Sequence, residues 1–185
     1  HAAGRKAPVA TTFDFGFALG PRINAAGRLA DMTLGIECLL TDDAGRAAEL
    51  AATLDGINRE RRDIESGMRE QAMLMAESLF DESEEPPPAI SVFDPDFHEG
   101  VVGIVASRIK DKLHRPTFVF AASSAPGKEH ELKGSGRSIP GFHLRDALDL
   151  VAKRHPGVIL KFGGHAMAAG CTVAEESFDV FEQAF

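Results

Sequence analysis

Two glycine-rich runs place phosphate-binding chemistry within the last third of the chain. In GSGRS (Gly134–Ser138) the glycines fall at alternate positions of an expected strand, so both lie on one face. A glycine inside a strand marks a bulge or a close backbone approach. Beside Gly136 stand Ser135, Arg137 and Ser138, with Lys133 just before them. A guanidinium fork matches two phosphate oxygens at once, and hydroxyls add donors. In GGHAMAAG (Gly163–Gly170), Gly163 and Gly164 can take positive φ and turn consecutive N–H groups toward an anion. His165 follows, able to donate to a phosphate or stack on a base, and Ala166, Ala168, Ala169 and Gly170 permit close approach. The competing reading makes the first run a bulged strand with a surface arginine and the second a tight turn.

Two further runs carry weaker signals. GPRINAAGR (Gly20–Arg28) offers Arg22 and Arg28 as phosphate clamps and Asn24 as a turn or sugar contact, against the plainer reading of a helix start. In HEGVVG (His98–Gly103), His98 and Glu99 precede an expected helix, but Val102 stands where a HExxH metal motif needs histidine, so capping and packing are expected. His114, His130 and His155 sit in loop-like contexts, and His143 reads as structural. No clustered Asp and His set of the kind a metal-dependent phosphodiesterase needs is present, so no metal ligand is assigned.

The charge distribution supports the same region. The net charge is −8, yet residues 108–161 hold 11 Lys/Arg against 5 Asp/Glu, while residues 42–107 hold 5 against 16. A local basic surplus focuses a polyanion on one face while the remainder stays acidic. Cys38 and Cys171 lie far apart in apolar contexts, which points to buried thiols in a reducing cytoplasm and argues against a disulfide or a zinc ribbon. No apolar run is long enough for a membrane span.

The elements that must position these residues form an α/β fold: a mixed β-sheet flanked by helices and preceded by a long connecting helix. Residues 1–33 read as loops with a short strand near Thr12–Phe17, followed by a short helix over Leu34–Leu40. From Asp43 to about Phe80, Leu50, Leu54, Ile57, Ile64, Met68, Met75 and Leu79 make one apolar stripe. Asp42 or Asp43 is the expected cap, Glu65 and Arg69 an i,i+4 pair, and Gly45, Gly56 and Gly67 expected breaks or close contacts. An acidic-proline linker spans Asp81–Pro88. Strands are expected at Ala89–Phe93, Pro116–Ala121, Glu131–Ser138 and Ala166–Val173, a short strand or turn at Val158–Phe162, and helices at Glu99–His114, Leu144–Lys153 and Glu175–Phe185.

Taken in order, FALGPRINAAGRLADM (Phe17–Met32), HEGVVGIVASRIKDKLHRP (His98–Pro116), LKGSGRS (Leu132–Ser138) and LKFGGHAMAAG (Leu160–Gly170) resemble the RecJ family of single-strand-specific DNA exonucleases, within the DHH phosphoesterase superfamily. The resemblance implies a 5′-to-3′ nuclease of recombination and repair that uses Mn or Mg held by an N-terminal DHH domain, followed by a long helix, a DHH-associated domain and an OB-fold. It assigns residues 1–33 to the end of the DHH domain, 34–85 to the connecting helix and linker, and 86–185 to the DHH-associated, nucleic-acid-binding domain. The DHH motifs would precede this stretch, leaving it inactive alone.

Carried over, Arg22, Ser135 and Arg137 would bind the terminal 5′ phosphate and nearby backbone. Asn24, Arg28, Gly136 and Ser138 would lie beside them, and Gly163, Gly164 and His165 would line the same cleft, His165 in an assisting role. Single-stranded DNA and other repair proteins are the implied partners, with no membrane. The alternatives are an oligoribonuclease or small-nucleotide phosphatase of the same superfamily, or a non-catalytic nucleic-acid-binding module.

Overall fold

The computed structural model describes residues 1–80 and 85–185, so Asp81–Glu84 of the expected linker lie outside the described residues. The chain divides into two compact units, His1–Ile64 and Glu65–Phe185.

The first unit is helical from Thr12 onward, where loops and a short strand near Thr12–Phe17 were expected. Thr11 and Asp14 form a capping box that opens α1 (Thr12–Asp14). A π-helical turn (Phe15–Leu19) leads into α2 (Gly20–Leu29), with Pro21 in the first turn after it. Helix α3 (Thr33–Leu40) packs on α2 through small residues: a Cβ on Gly27 would lie 2.7 Å from Met32 Cε, and one on Gly35 3.0 Å from Ile23 Cγ2. The Gly-Pro punctuation that reads as loop instead serves a helix start and a helix–helix contact. Phe13 and Phe17 stack with ring centroids 4.6 Å apart, and both are exposed.

Helix α4 (Ala44–Glu77) is one continuous helix of 34 residues, roughly 51 Å at 1.5 Å per residue. Its cap is Asp43, whose Oδ1 accepts from the N–H groups of Gly45 (2.7 Å) and Arg46 (3.0 Å). Neither expected role holds for Gly56 and Gly67: the helix does not break there, and a Cβ at either would meet nothing within 4 Å. The buried positions are Leu50, Leu54 and Asn58, then Met68, Ala72 and Ala76, each set four residues apart, while Leu79 of the expected stripe is exposed. The Glu65 carboxylate faces Arg108, and Arg69 reaches Glu70.

The second unit holds a five-stranded mixed sheet in the order β1-β2-β3-β5-β4. The strands are β1 (Ile90–Phe93), β2 (Thr117–Ala122), β3 (Glu131–Arg137), β4 (Ile159–Gly164) and β5 (Ala168–Ala174). The first two run parallel, joined through α5 (Val102–Leu113), and the remaining pairings are antiparallel. Helix α5 begins three residues later than expected, after a turn in which His98 Nδ1 accepts from the Gly100 N–H (3.0 Å). Helix α6 (Leu144–Arg154) is capped by His143, whose Nδ1 accepts from the Asp146 N–H (3.2 Å). Helix α7 (Phe178–Ala184) follows a short 3-10 turn. Among the described residues no helix is long and apolar enough to cross a membrane.

One core cluster lies on the face of this sheet where α6 and α7 supply Leu144, Leu148, Val151 and Phe181, while α5, packed on β2 and β3, buries Val105 and Ile109. Phe118 and Phe120 of β2 are fully buried there and meet the Phe181 ring edge-on, at 5.6 and 5.1 Å. Their room comes from β3. Gly136 pairs with Phe118 and Gly134 with Phe120, and each ring lies across its partner glycine. A Cβ on Gly134 would sit 2.3 Å from Phe120 Cε1, and one on Gly136 2.5 Å from Phe118 Cζ. The close approach expected at these glycines is therefore made by the protein's own aromatic rings.

Both cysteines are free thiols, but they differ: Cys171 is buried in the core, whereas Cys38 is only half-buried, contrary to expectation. Burial pushes the Cys171 thiol far above its ordinary pKa, because the thiolate would be desolvated. A thiol-titrating reagent at pH 8 will modify Cys38 in the native protein and Cys171 only after denaturation. Replacing Gly134 with Ala will lower stability in urea unfolding by about 1–3 kcal/mol, the cost of overpacking. Pairing that change with Phe120→Leu will recover part of the loss.

Candidate nucleic-acid interface

Because successive strand residues alternate in direction, filling one face with Phe118, Gly136, Phe120 and Gly134 commits Lys133, Ser135 and Arg137 to the other. Register carries that face across the sheet. Ser135 pairs with Gly170, which pairs with Gly163; Lys133 pairs with Thr172, which pairs with Lys161; Arg137 pairs with Ala168. A groove of about 400 Å³ runs here, with Lys133, Lys161, Gly163, Gly170 and Thr172 along it.

At one end the first turn of α5 passes close over Ser135 and Arg137. Arg137 Nη1 donates to Ser135 Oγ (3.2 Å) and to the Gly136 carbonyl (2.8 Å), which holds the half-buried guanidinium against its own strand. Ser135 Oγ accepts that bond and keeps its O–H as a donor. The helix can come this close because residue 103 is glycine. A Cβ there would lie 2.8 Å from both Arg137 Nη2 and Ser135 Oγ. Gly103 thus shapes the Ser–Arg couple, a role not anticipated from the sequence. The available signal was a glycine inside the apolar helical run VVGIV (Val101–Val105), where it costs about 1 kcal/mol against Ala. The start of a helix also favours a nearby anion.

The hairpin joining β4 to β5 forms the next part of the site. Its glycines do not make a paired anion nest. Both end β4, and of the two only Gly164 has positive φ (136°); a Cβ on it would fall 2.4 Å from Ala169 Cα. The His165 N–H donates to the Ala168 carbonyl (2.8 Å), so it closes the hairpin rather than facing a ligand. The loop is tied down on both sides, the Met167 carbonyl accepting from the Ser138 N–H (3.0 Å) and the Ala166 carbonyl from the Leu144 N–H (2.9 Å). His165 is exposed, at the strand end beside the Ala168 that pairs with Arg137. Two strand spacings, about 10 Å, separate the β3 and β4 backbones. Gly163 is open: a Cβ on it would meet nothing within 4 Å.

Of the ten residues expected to touch substrate, Ser135, Gly136, Arg137, Ser138, Gly163, Gly164 and His165 lie in the second unit, and Arg22, Asn24 and Arg28 in the first. The structure gives several of them other work. Ser138 is buried and donates to the Phe142 carbonyl (2.7 Å), closing the turn after β3. Gly136 faces Phe118, and Gly164 answers to backbone torsion. Arg22 is held within its own unit: Nε donates to Asp55 (2.8 Å) and Nη1 to the Ala18 carbonyl (2.6 Å), fastening α2 to α4. Asn24 and Arg28 are exposed on α2. Ser135, Arg137, Gly163 and His165 remain on the accessible side of the sheet. Lys161, exposed on β4, was not expected; its signal is its place two residues before Gly163 in the strand that runs into the hairpin.

Lys133 is partly neutralised, 3.1 Å from Glu131 Oε2. Hydrogen bonds from Lys133 and then Lys128 hold the Glu131 carboxyl below its ordinary pKa. Among the described residues no three His, Cys, Asp or Glu side chains converge as a metal site would require.

Residues 86–185 match the DHHA1 domain. The whole chain is similar to the single-stranded-DNA-specific exonucleases RecJ of Dickeya dadantii (50% identity over 183 residues, 99% of this chain) and Escherichia coli (49% over 183 residues). The chain spans only 31% of the length of these relatives. Among solved structures, RecJ of Thermus thermophilus in complex with Mg2+ matches with a TM-score of 0.81 at 32% identity, over 99% of this chain and 26% of that one. An exonuclease RecJ bound to manganese matches at 0.80 and 33%, over 99% of this chain and 42% of that one. With the DHHA1 match covering more than half of its length, and RecJ likeness extending through both units, the chain belongs to the DHHA1 domain family.

Proposed function

We propose that this chain is the strand-gripping part of a metal-dependent, 5′-to-3′ single-strand DNA exonuclease of recombination and repair, with Ser135 and Arg137 holding the terminal 5′ phosphate. The observation that carries this reading is the Ser135–Arg137 couple, set at 3.2 Å beneath the first turn of α5 by the absence of a side chain at Gly103. A terminal phosphate bears more charge and one more free oxygen than an internal phosphodiester. A guanidinium, a hydroxyl and a helix start together therefore favour the end of a strand over its middle. The bare backbone at Gly163 and Gly170, open at Gly163, gives the strand a smooth floor, and His165 stands at its edge, able to assist. The likeness to RecJ over 99% of the chain supports DNA as the polyanion.

In this reading the chain positions and does not cut. This reading leaves the Mn or Mg that the RecJ crystals contain to the DHH part of the full-length protein. Fixing the 5′ end sets which phosphodiester meets the reacting groups, and such positioning is worth several kcal/mol of barrier. Arg22 keeps to its ion pair with Asp55, and the grip falls to the second unit.

In the full-length polypeptide, Arg137→Ala will reduce kcat/KM on 5′-phosphorylated single strands by roughly 10–100-fold, the worth of one charge-assisted contact. It will also abolish the preference over 5′-hydroxyl strands. An unchanged preference would refute the reading. Gly103→Ala will displace the Arg137 guanidinium from Ser135, visible as loss of their hydrogen bond in a crystal structure. Fold stability will stay within about 1 kcal/mol, since better helix propensity offsets crowding against a side-chain end that can move.

A further inference from the structure

We propose a second phosphate subsite on the same sheet face, formed by Lys133, Thr172 and Lys161, that holds an internal phosphodiester of the strand whose 5′ end Ser135 and Arg137 grip. It rests on that reading and extends it to a requirement for substrate length. The three residues form one row across β3, β5 and β4. Lys133 Nζ already reaches across to donate to Thr172 Oγ1 (3.2 Å). Lys161 stands exposed on the other side of Thr172, and among the described residues no carboxylate lies within ion-pair distance of it. Two ammonium groups, that of Lys133 shared with Glu131 (3.1 Å) and that of Lys161 not, and a hydroxyl thus border one groove, and the groove volume of about 400 Å³ is open above them.

The row between this subsite and the proposed end grip is Ser135–Gly170–Gly163. A Cβ on Gly163 would meet nothing within 4 Å, so no side chain of the row beyond Ser135 stands in the path. From Arg137 to Lys133 is four residues of strand, about 14 Å of extended backbone, a span that one single strand covers in a few nucleotides. A dinucleotide anchored at Arg137 cannot engage both ends of the path, whereas an oligonucleotide can. This is the chemistry that would separate a strand-degrading enzyme from one acting on very short products. The occupant is a nucleic-acid phosphodiester rather than an acidic protein surface. The floor is bare backbone flanked by cations, with the exposed large apolar side chains of β4 and its hairpin, Leu160 and Met167, outside the row.

The test uses the full-length polypeptide and a ladder of 5′-phosphorylated oligothymidylates. Lys161→Gln is expected to lower the ratio of kcat/KM for the hexanucleotide over the dinucleotide about tenfold. The dependence of log Kd on log salt should become shallower by about 0.7, the release expected for one phosphate contact on a single strand. Lys161→Arg should restore both, and Lys153→Gln on α6 should alter neither. A Lys161→Gln enzyme with the wild-type length ratio and salt slope overturns the subsite. If that occurs while Arg137→Ala still removes the 5′-phosphate preference, the end grip stands without it. If Lys161→Gln shifts the ratio but Arg137→Ala leaves the preference intact, the lysines bind a strand whose end is held elsewhere, and the proposal fails as stated.

Discussion

Two phenylalanine rings lying flat against two glycines hold the second unit together. Phe118 and Phe120 have no other place to go: the strand beside them offers Gly136 and Gly134 in register, and α7 closes over the rings with Phe178 and Phe181, joined by Phe185 just after it. A slip of one residue along β3 would press Ser135 or Arg137 into the rings and turn both glycines outward. The packing therefore fixes more than stability. It decides which side chains of GSGRS reach the opposite face, and it does so on a central strand flanked by β2 and β5. Residues carried on such an element are held more tightly than residues on loops.

The polar face inherits this order. Ser135 and Arg137 are two residues apart, so they point the same way, and α5 descends on them at the one position where a glycine allows it. The hairpin of β4 and β5 is tied to the end of β3 and to the start of α6 by backbone hydrogen bonds from Ser138 and Leu144. Three separate stretches of sequence thus meet around one sheet edge with little freedom to drift.

Much of this was legible in the residues. Strand and helix alternation after residue 89, the long helix from Asp43 and the polar side chains of GSGRS all follow from periodicity and turn chemistry. The first thirty residues read as loop because Gly16, Gly20 and Pro21 look like breakers, although a capping box at Thr11 and a proline in a first helical turn are helix signals. The glycines posed a harder problem. Local spacing shows that Gly134 and Gly136 share a face, but only the neighbouring strand shows that the face belongs to the core. Arg22 and Ser138 meet a similar limit: within its own segment, a donor in a phosphate-like context cannot be told from one whose partner is Asp55 or the Phe142 carbonyl.

The hairpin carries a lesson about adjacent identical letters. Gly163 and Gly164 are neighbours, yet they answer to different masters. Gly164 is demanded by torsion and by Ala169 beneath it, whatever the protein binds. Nothing in the fold requires Gly163 to be small; its φ is ordinary and the space above it is empty. Over evolutionary time the first would be guarded by folding and the second only by whatever passes over the sheet. The tolerance of residue 163 in functional survivors is thus a record of the molecule's traffic rather than of its architecture.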